Sequence, residues 1–496
     1  METSKANLGE DHPSTLTSMA NLASTYWNQG RWKEAEQLDV HVMETSKSKL
    51  GDDHPDTLSS MANLASAYRN QGRWEEAEQL EVQVMKTSKM KLGEDHPDTL
   101  SSMANLASTY WNQGRWEEAE QLEVQVMETS KTRLGEYHPD TLASMANLSL
   151  TFSSQGRWEE TERLNVQVME TSKTKLGVDH PSTLTSMANL ASTYRNQGRW
   201  EEAEKLNVQV METSKMKLGN DHPDTLSSMA NLASTYRNQG RWEEAEQLEV
   251  QVMETSKTKL GEDHPSTLAS MANLASTYRN KDRWEEAEQL EVQVMETSKV
   301  KLGEDHPSTL TSMANLASTY CNQGRWEQAE QLDVQVMETR KMKLGEYHPD
   351  TLSSLGNLAS TYWNQGRWEQ AEKLDVQVME ARKRKLGEFH PSTLASMANL
   401  ASTYWKQGRW DEAEQLDVQV MEARKTKLGE YHPDTLSSMA NLAFTWKSLG
   451  HDSKANTLLR DCIAKQKQIL GPIHPGTLSN SETLLEWGRE RRRLNG

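Results

Sequence analysis

The sequence predicts an all-α solenoid of stacked helix-turn-helix repeats, and three observations carry that expectation. A His-Pro pair begins at His12, His54, His96, His138, His180, His222, His264, His306, His348, His390, His432 and His474, every 42 residues, without an insertion or deletion. Within each unit apolar residues return at three- and four-residue spacing, the period of an amphipathic helix. Neither helix of a unit could bury its stripe alone, so the units must stack.

One unit, residues 54–95, reads HPDTLSSMANLASAYRNQGRWEEAEQLEVQVMKTSKMKLGED. Pro55 suits the first turn of a helix, and Asp56 complements the positive end of its dipole. Leu58, Met61, Leu64, Ala65 and Tyr68 form one apolar stripe. Gly72 is expected to end this helix in a left-handed conformation. A second helix follows from Arg73, with Trp74, Ala77, Leu80, Val84 and Met85 on its buried side and Glu75, Glu76 and Glu78 outside, and Gly93 closes it. The ten equivalent tryptophans, Trp32 to Trp410, are expected in the core, and the "RWEEAEQLE" segments on a solvated face. Asp282 replaces one loop glycine, and Asp tolerates left-handed backbone better than most residues.

Composition excludes several classes. The 496 residues carry a net charge of −18, which argues against a general affinity for nucleic acid or anionic membrane. No apolar run approaches the roughly 20 residues of a membrane span, and the N-terminus lacks a signal-peptide pattern. Cys321 and Cys462 form no motif, so a reducing, cytoplasmic setting is expected. The twelve histidines do not suggest a metal: ligands must converge within about 2 Å of one ion, whereas stacked helices stand about 8–10 Å apart. They are expected to cap the first helices instead. No Walker loop or nucleotide fingerprint is present. The expectation is a protein with no enzymatic activity, metal or cofactor.

The pattern L-A-x-x-Y followed by G-R-W-x-x-A resembles the tetratricopeptide repeat. The 42-residue length and "HPDTLSSMANLA" resemble its kinesin-light-chain class, which also occurs at the C-terminal ends of fungal and bacterial NTPase-type receptors. The resemblance covers essentially the whole chain. It implies a right-handed superhelix of eleven full repeats plus a C-terminal capping helix. Residues 1–11 would be the end of a truncated repeat, 12–431 ten repeats, 432–473 a divergent eleventh, and 474–496 the cap, ending in Arg491, Arg492 and Arg493. The implied function is a non-catalytic scaffold or adaptor that binds protein or peptide in its concave groove. Two alternatives stand beside it: a kinesin-light-chain-like cargo adaptor, although no heptad coiled coil is present, and the sensor arm of a signalling NTPase whose catalytic domain lies upstream.

Two positions of the first helix are candidates for the binding surface. One holds Asn in all eleven full units: Asn21, Asn63, Asn105, Asn147, Asn189, Asn231, Asn273, Asn315, Asn357, Asn399 and Asn441. An amide both donates and accepts, so such a ladder could grip a peptide backbone regardless of sequence. It could equally bond a neighbouring helix and fix the stacking. The other position varies, with Arg69, Trp111, Arg195, Arg237, Arg279, Trp363 and Trp405 among its occupants. By the resemblance it faces the groove, where Arg between flanking Trp favours an acidic peptide with an aromatic or apolar anchor. Solvated drift is the competing reading.

The opening "METSKANLGEDHP" is in register with "METSKSKLGDDHP", so Met1 falls inside a repeat. It reads as the tail of a second helix, as expected of the C-terminal part of a longer array. An uncapped first helix would promote self-association, and adding one repeat in front should suppress it; unchanged light scattering would count against that idea.

Overall fold

The computed structural model describes residues 5, 7–28 and 31–494 and, apart from 28, 32 and 491–494, their side chains; among these residues all regular structure is helical. Helices α1 (Pro13–Asn28) and α2 (Trp32–Leu50) form the first pair. The pairing returns every 42 residues to α21 (Pro433–Ser448) and α22 (Asp452–Ile469), after which α23 (Pro475–Leu494) follows. The expected helix tail at residues 1–11 lies in part outside the described residues, as do the side chains of Arg491, Arg492 and Arg493. None of the described helices is long and apolar enough to cross a membrane.

Each first helix starts where the sequence places it. Proline supplies a fixed φ and lacks the N–H that would be left over, and the preceding histidine caps the turn. His54 Nδ1 accepts the Asp56 backbone N–H at 3.2 Å, and every one of the twelve His-Pro histidines makes the equivalent bond. Gly72 ends the helix at φ +74°, and Asp282 adopts +57° in the one turn that lacks glycine.

The turn also carries the clamp between repeats. Arg115 lies over the Tyr110 ring at 4.0 Å and donates to Gln113 Oε1 and, in the preceding repeat, to Glu78 Oε1, each at 2.9 Å. Stacking on the ring orients a guanidinium that then has donors left for the neighbour. Arg241 with Glu204 and Arg409 with Glu372 repeat it at 2.8 Å. In the last pair His451 replaces the arginine, and Trp446 Nε1 reaches Glu414 at 2.6 Å instead.

The apolar stripes meet as expected. Leu58, Met61 and Val84 form one buried cluster with Leu80 and with Met43 of the preceding repeat. Met85 in turn packs on Leu100, Met103 and Val126 of the next. At the C-terminal end the cluster is larger: Leu436, Leu459, Cys462 and Ile463 are covered by Trp487 of α23, whose ring meets Phe444 edge-on at 5.8 Å.

The second-helix tryptophans are not core residues. Trp326, Trp368 and Trp410 are 37–41% exposed, and those from Trp74 to Trp284 are half-buried. Each stands at the first helical position after the turn, beside the end of the first helix. There Trp74 Nε1 donates to the Arg69 carbonyl at 3.1 Å, satisfying one of the acceptors that a helix C-terminus leaves open. Its place is a lid over the turn.

Two compact units are distinguished: Met1–Ser186 with Thr255–Ala269 and Gln293–Ser312, and Met187–Glu254 with Ser270–Val292 and Met313–Gly496. Within each, distant repeats touch. In the first unit His306, whose Nδ1 accepts the Ser308 N–H, is 3.3 Å from the Asn70 carbonyl through Nε2. In the second, His432 Nε2 stands 3.3 Å from the Asn196 carbonyl. Burial lowers the affinity of both rings for a proton, and a neutral ring protonated at Nε2 satisfies both bonds. A Cβ on Gly198 would lie 2.5 Å from Pro433 Cδ, whereas one on Gly408 would meet nothing within 4 Å. Both glycines have φ above +70°. Gly408→Ala should therefore cost only the left-handed strain, roughly 1–2 kcal/mol, and Gly198→Ala distinctly more. Equal losses in thermal unfolding midpoint would show that the return contact is not made in solution.

Candidate functional site

The invariant asparagines lie on the open side of the first helices. Asn63, Asn147, Asn231, Asn357 and Asn399 are exposed, and Asn105, Asn189, Asn273 and Asn315 half-exposed. Their side-chain amides make no hydrogen bond among the described residues. The main chain beneath them is tied down: the carbonyls of Asn105, Asn273 and Asn315 accept from Arg69, Arg237 and Arg279 of the preceding repeat, each at 3.1 Å.

The arginines at the variable position divide into two kinds. Arg69 pairs with Glu81 at 3.0 Å, Arg237 with Glu249 at 3.5 Å and Arg279 with Glu291 at 2.6 Å. Each of those glutamates is 2% exposed, so three of the four arginines have a carboxyl partner within the fold. Arg195 differs because its second helix offers Asn207 in place of glutamate. The Asn207 amide donates to Thr235 Oγ1 at 2.9 Å and approaches the Asn231 carbonyl at 3.5 Å, occupying the place that arginine takes elsewhere. Arg195 then bonds only Ser192 Oγ, at 3.2 Å, with no carboxylate partner among the described residues. Burial makes it a weaker base than usual, and Arg237 nearby adds to this.

The tryptophans at the same position make no common contact. Trp111 and Trp405 donate to Ser154 and Ser448 of the following repeat, each at 2.9 Å. Trp363 Nε1 is buried without an acceptor among the described residues, and Lys406 lies 4.8 Å over its ring.

Beneath this face runs a line of buried polar residues that the sequence reading placed on a solvated surface. Glu75 and Glu76 are exposed, but Glu81, the last acid of "RWEEAEQLE", is not. Its equivalents Asp39, Glu123, Asn165, Asn207, Glu249, Glu291, Asp333, Asp375 and Asp417 are all between 2 and 6% exposed. Except after Asp39, where Ala67 stands, the following repeat supplies a threonine 28 residues on. Thr277 donates to Glu249 at 2.5 Å, Thr361 to Asp333 at 2.6 Å, Thr403 to Asp375 at 2.8 Å and Thr445 to Asp417 at 2.6 Å. The divergent unit obeys the same logic, because Ser149 replaces alanine where Asn165 replaces the acid, and the two bond at 2.8 Å. Burial raises these carboxyls: Glu123 and Glu249 to about 7, and Asp333, Asp375 and Asp417 to about 6, the threonine bonds offsetting part of the rise. The signal was available, since acid and threonine keep a fixed separation across the repeat boundary.

Comparison with family models agrees with this architecture. One family model described as tetratricopeptide repeat matches residues 14–90, 141–215, 182–258, 308–384, 350–426 and 393–468, and a second with the same description matches 99–140 and 267–308. No curated protein matches the chain. Two crystal structures of a Podosopora anserina protein, named as a kinesin light chain with nearly identical TPR-like repeats, are 34% identical over 41% of this chain and 97% of their own, with TM-scores of 0.37 and 0.36. The crystal structure of BtubC (BKLC) from P. vanneervenii is 19% identical over 48% of this chain and 91% of its own, with a TM-score of 0.36.

The buried acids carry a pH dependence. A carboxyl whose affinity for protons rises on folding stabilises the fold fully only below its unfolded value, about 4, and loses that contribution as pH climbs through the folded one. For Asp333, Asp375 and Asp417 the loss is completed just above pH 6. The unfolding midpoint of the parent should fall more between pH 5 and 8 than that of Asp333→Asn/Asp375→Asn/Asp417→Asn, an exchange the fold already accepts at Asn207. Parallel curves would refute it.

Proposed function

Because this chain belongs to the tetratricopeptide-repeat family, we propose that it is a non-catalytic scaffold of the cytoplasm that holds an extended peptide along the asparagine ladder of its first helices. The carrying observation is that the ladder amides stand open and without partners, while the polar groups beneath them are largely bonded to one another. Stacked helices about 8–10 Å apart and a strand rise of about 3.3 Å per residue bring one amide to roughly every third peptide residue. Asn63, Asn105 and Asn147 of the first unit, and Asn189, Asn231, Asn273, Asn315, Asn357 and Asn399 of the second, each thus supply sequence-independent grip within their own unit.

Specificity comes from the variable position. Arg195 is the cation with no carboxylate of its own, so it receives an acidic side chain of the ligand. Arg69, Arg237 and Arg279 tune the local potential from within their ion pairs. Trp111, Trp363 and Trp405 offer faces for aromatic or apolar anchors. Arg237→Ala would be a poor probe, because it strips the buried Glu249 of its cation.

The test uses peptides selected from a phage-displayed random library on the whole chain. Each amide–backbone bond contributes about 0.5–1.5 kcal/mol, so Asn189→Ala/Asn231→Ala/Asn273→Ala should weaken selected peptides by about 10- to 100-fold without shifting the unfolding midpoint. Arg195→Ala should remove their preference for one acidic position. Peptides that bind parent and triple variant equally would exclude the ladder.

A further inference from the structure

A second surface is built at the loops that join one repeat to the next. The residue before His-Pro is aspartate in most repeats, and in several of these a lysine 38 residues on bonds it, as Lys91 does Asp53 at 3.1 Å and Lys301 does Asp263 at 2.8 Å. In four successive loops near the C-terminus the aspartate gives way to Tyr347, Phe389, Tyr431 and Ile473, which are 48, 57, 45 and 84% exposed. Each exchange sets an apolar side chain in solvent, and at Tyr347 and Phe389 it also deprives a lysine of its acid. Lys385 and Lys427, which would have answered Tyr347 and Phe389, are both exposed; Lys385 has no anionic partner among the described residues, and Lys427 Nζ lies 6.0 Å over the Phe389 ring.

The same loops differ in another position. Serine seven residues earlier becomes Arg340, Arg382 and Arg424, whose guanidinium groups reach Ser354, Ser396 and Ser438 at the start of the next helix, at 2.9, 2.9 and 2.8 Å. These bonds tie the end of one helix to the start of the next. They also add charge: residues 382–389 hold four basic groups and one acid, whereas residues 298–305 hold two of each. That acid, Glu388, is bonded by Lys383 at 2.8 Å, and Glu430 is held by Lys465. Paired changes in consecutive repeats thus yield a file of exposed apolar groups edged with basic side chains, on a chain that is acidic overall.

We propose that this loop edge, from Tyr347 to Ile473, docks an acidic extended segment of a partner protein whose apolar residues recur at every third position. Freed cations call for carboxylates, and the exposed side chains call for apolar ones. A polyproline-type segment repeats each face every three residues, about 9 Å, close to the roughly 8–10 Å between stacked helices. An anionic membrane fits less well, because the file is one side chain wide and Glu388 and Glu430 stand in the same loops. The edge is distinct from the asparagine ladder and does not depend on it.

Fluorescence anisotropy on the whole chain tests this with a labelled (Glu-Glu-Leu)4 peptide, a (Glu-Glu-Ser)4 control, and phosphatidylcholine vesicles with and without phosphatidylserine. Tyr347→Asp/Phe389→Asp/Tyr431→Asp restores the residue used in other repeats and should weaken the leucine peptide at least tenfold. Lys385→Gln/Lys427→Gln should weaken it and flatten its salt dependence, while Asn189→Ala/Asn231→Ala/Asn273→Ala should leave it unchanged. The proposal is overturned if the parent chain does not bind the leucine peptide, if the serine peptide binds as well, if the aspartate variant binds within twofold of the parent, or if only the anionic vesicles are bound.

Discussion

Met85 lies in the core of the repeat after its own, beside Leu100, Met103 and Val126. That displacement is the constraint on which the structure rests. A helix pair this poor in large aliphatic residues closes no core alone, so its stability resides in the contacts to the next pair. Many of the polar groups that such contacts bury are then bonded across the boundary. The Arg115–Glu78 clamp and the Thr445–Asp417 bond are two parts of one solution, the first at the turn and the second under the open face. A strict 42-residue period keeps both in register along the array.

Because the interface is the unit of stability, several variations come in coupled sets. Arg237 is accompanied by Glu249, and Arg279 by Glu291. Where Asn207 enters, Arg195 is released; where Asn165 enters, Ser149 follows. At the last pair Leu459 replaces the buried acid and joins an apolar cluster that α23 covers, which ends the polar line. Residues that look like independent drift along the chain are thus coupled across a helix pair or a repeat boundary.

This coupling explains what could be read in advance. Features set within a few residues were legible: proline and histidine at the start of a helix, glycine after its end, and the stripe of Leu58, Met61 and Leu64. The Trp74 position was misread because residue type suggested the core, while its place one step past a turn puts the indole over a helix end. Glu81 was misread because an acid among "EEAEQLE" looks solvated until the arginine 12 residues on the other side of the turn is considered. The open amides of the ladder could be numbered from sequence, but not their want of a partner, which depends on how neighbouring helices fill the space around them.

Two kinds of position escape the coupling, and function is to be sought there. The ladder asparagines are invariant although nothing in the described fold bonds their amides, so stacking alone does not account for them. The loop residues from Tyr347 to Ile473 vary in the opposite sense, setting an exposed apolar group where other repeats have aspartate, and at Tyr347 and Phe389 the lysine that would have paired with the acid is left without it. In an array where many buried changes are answered by a neighbour, these surface changes are not. Under the readings proposed above, a ligand that brings carboxylates and apolar side chains would pair the exposed lysines, and Arg195, which has no carboxylate partner among the described residues, would receive its acid from the peptide.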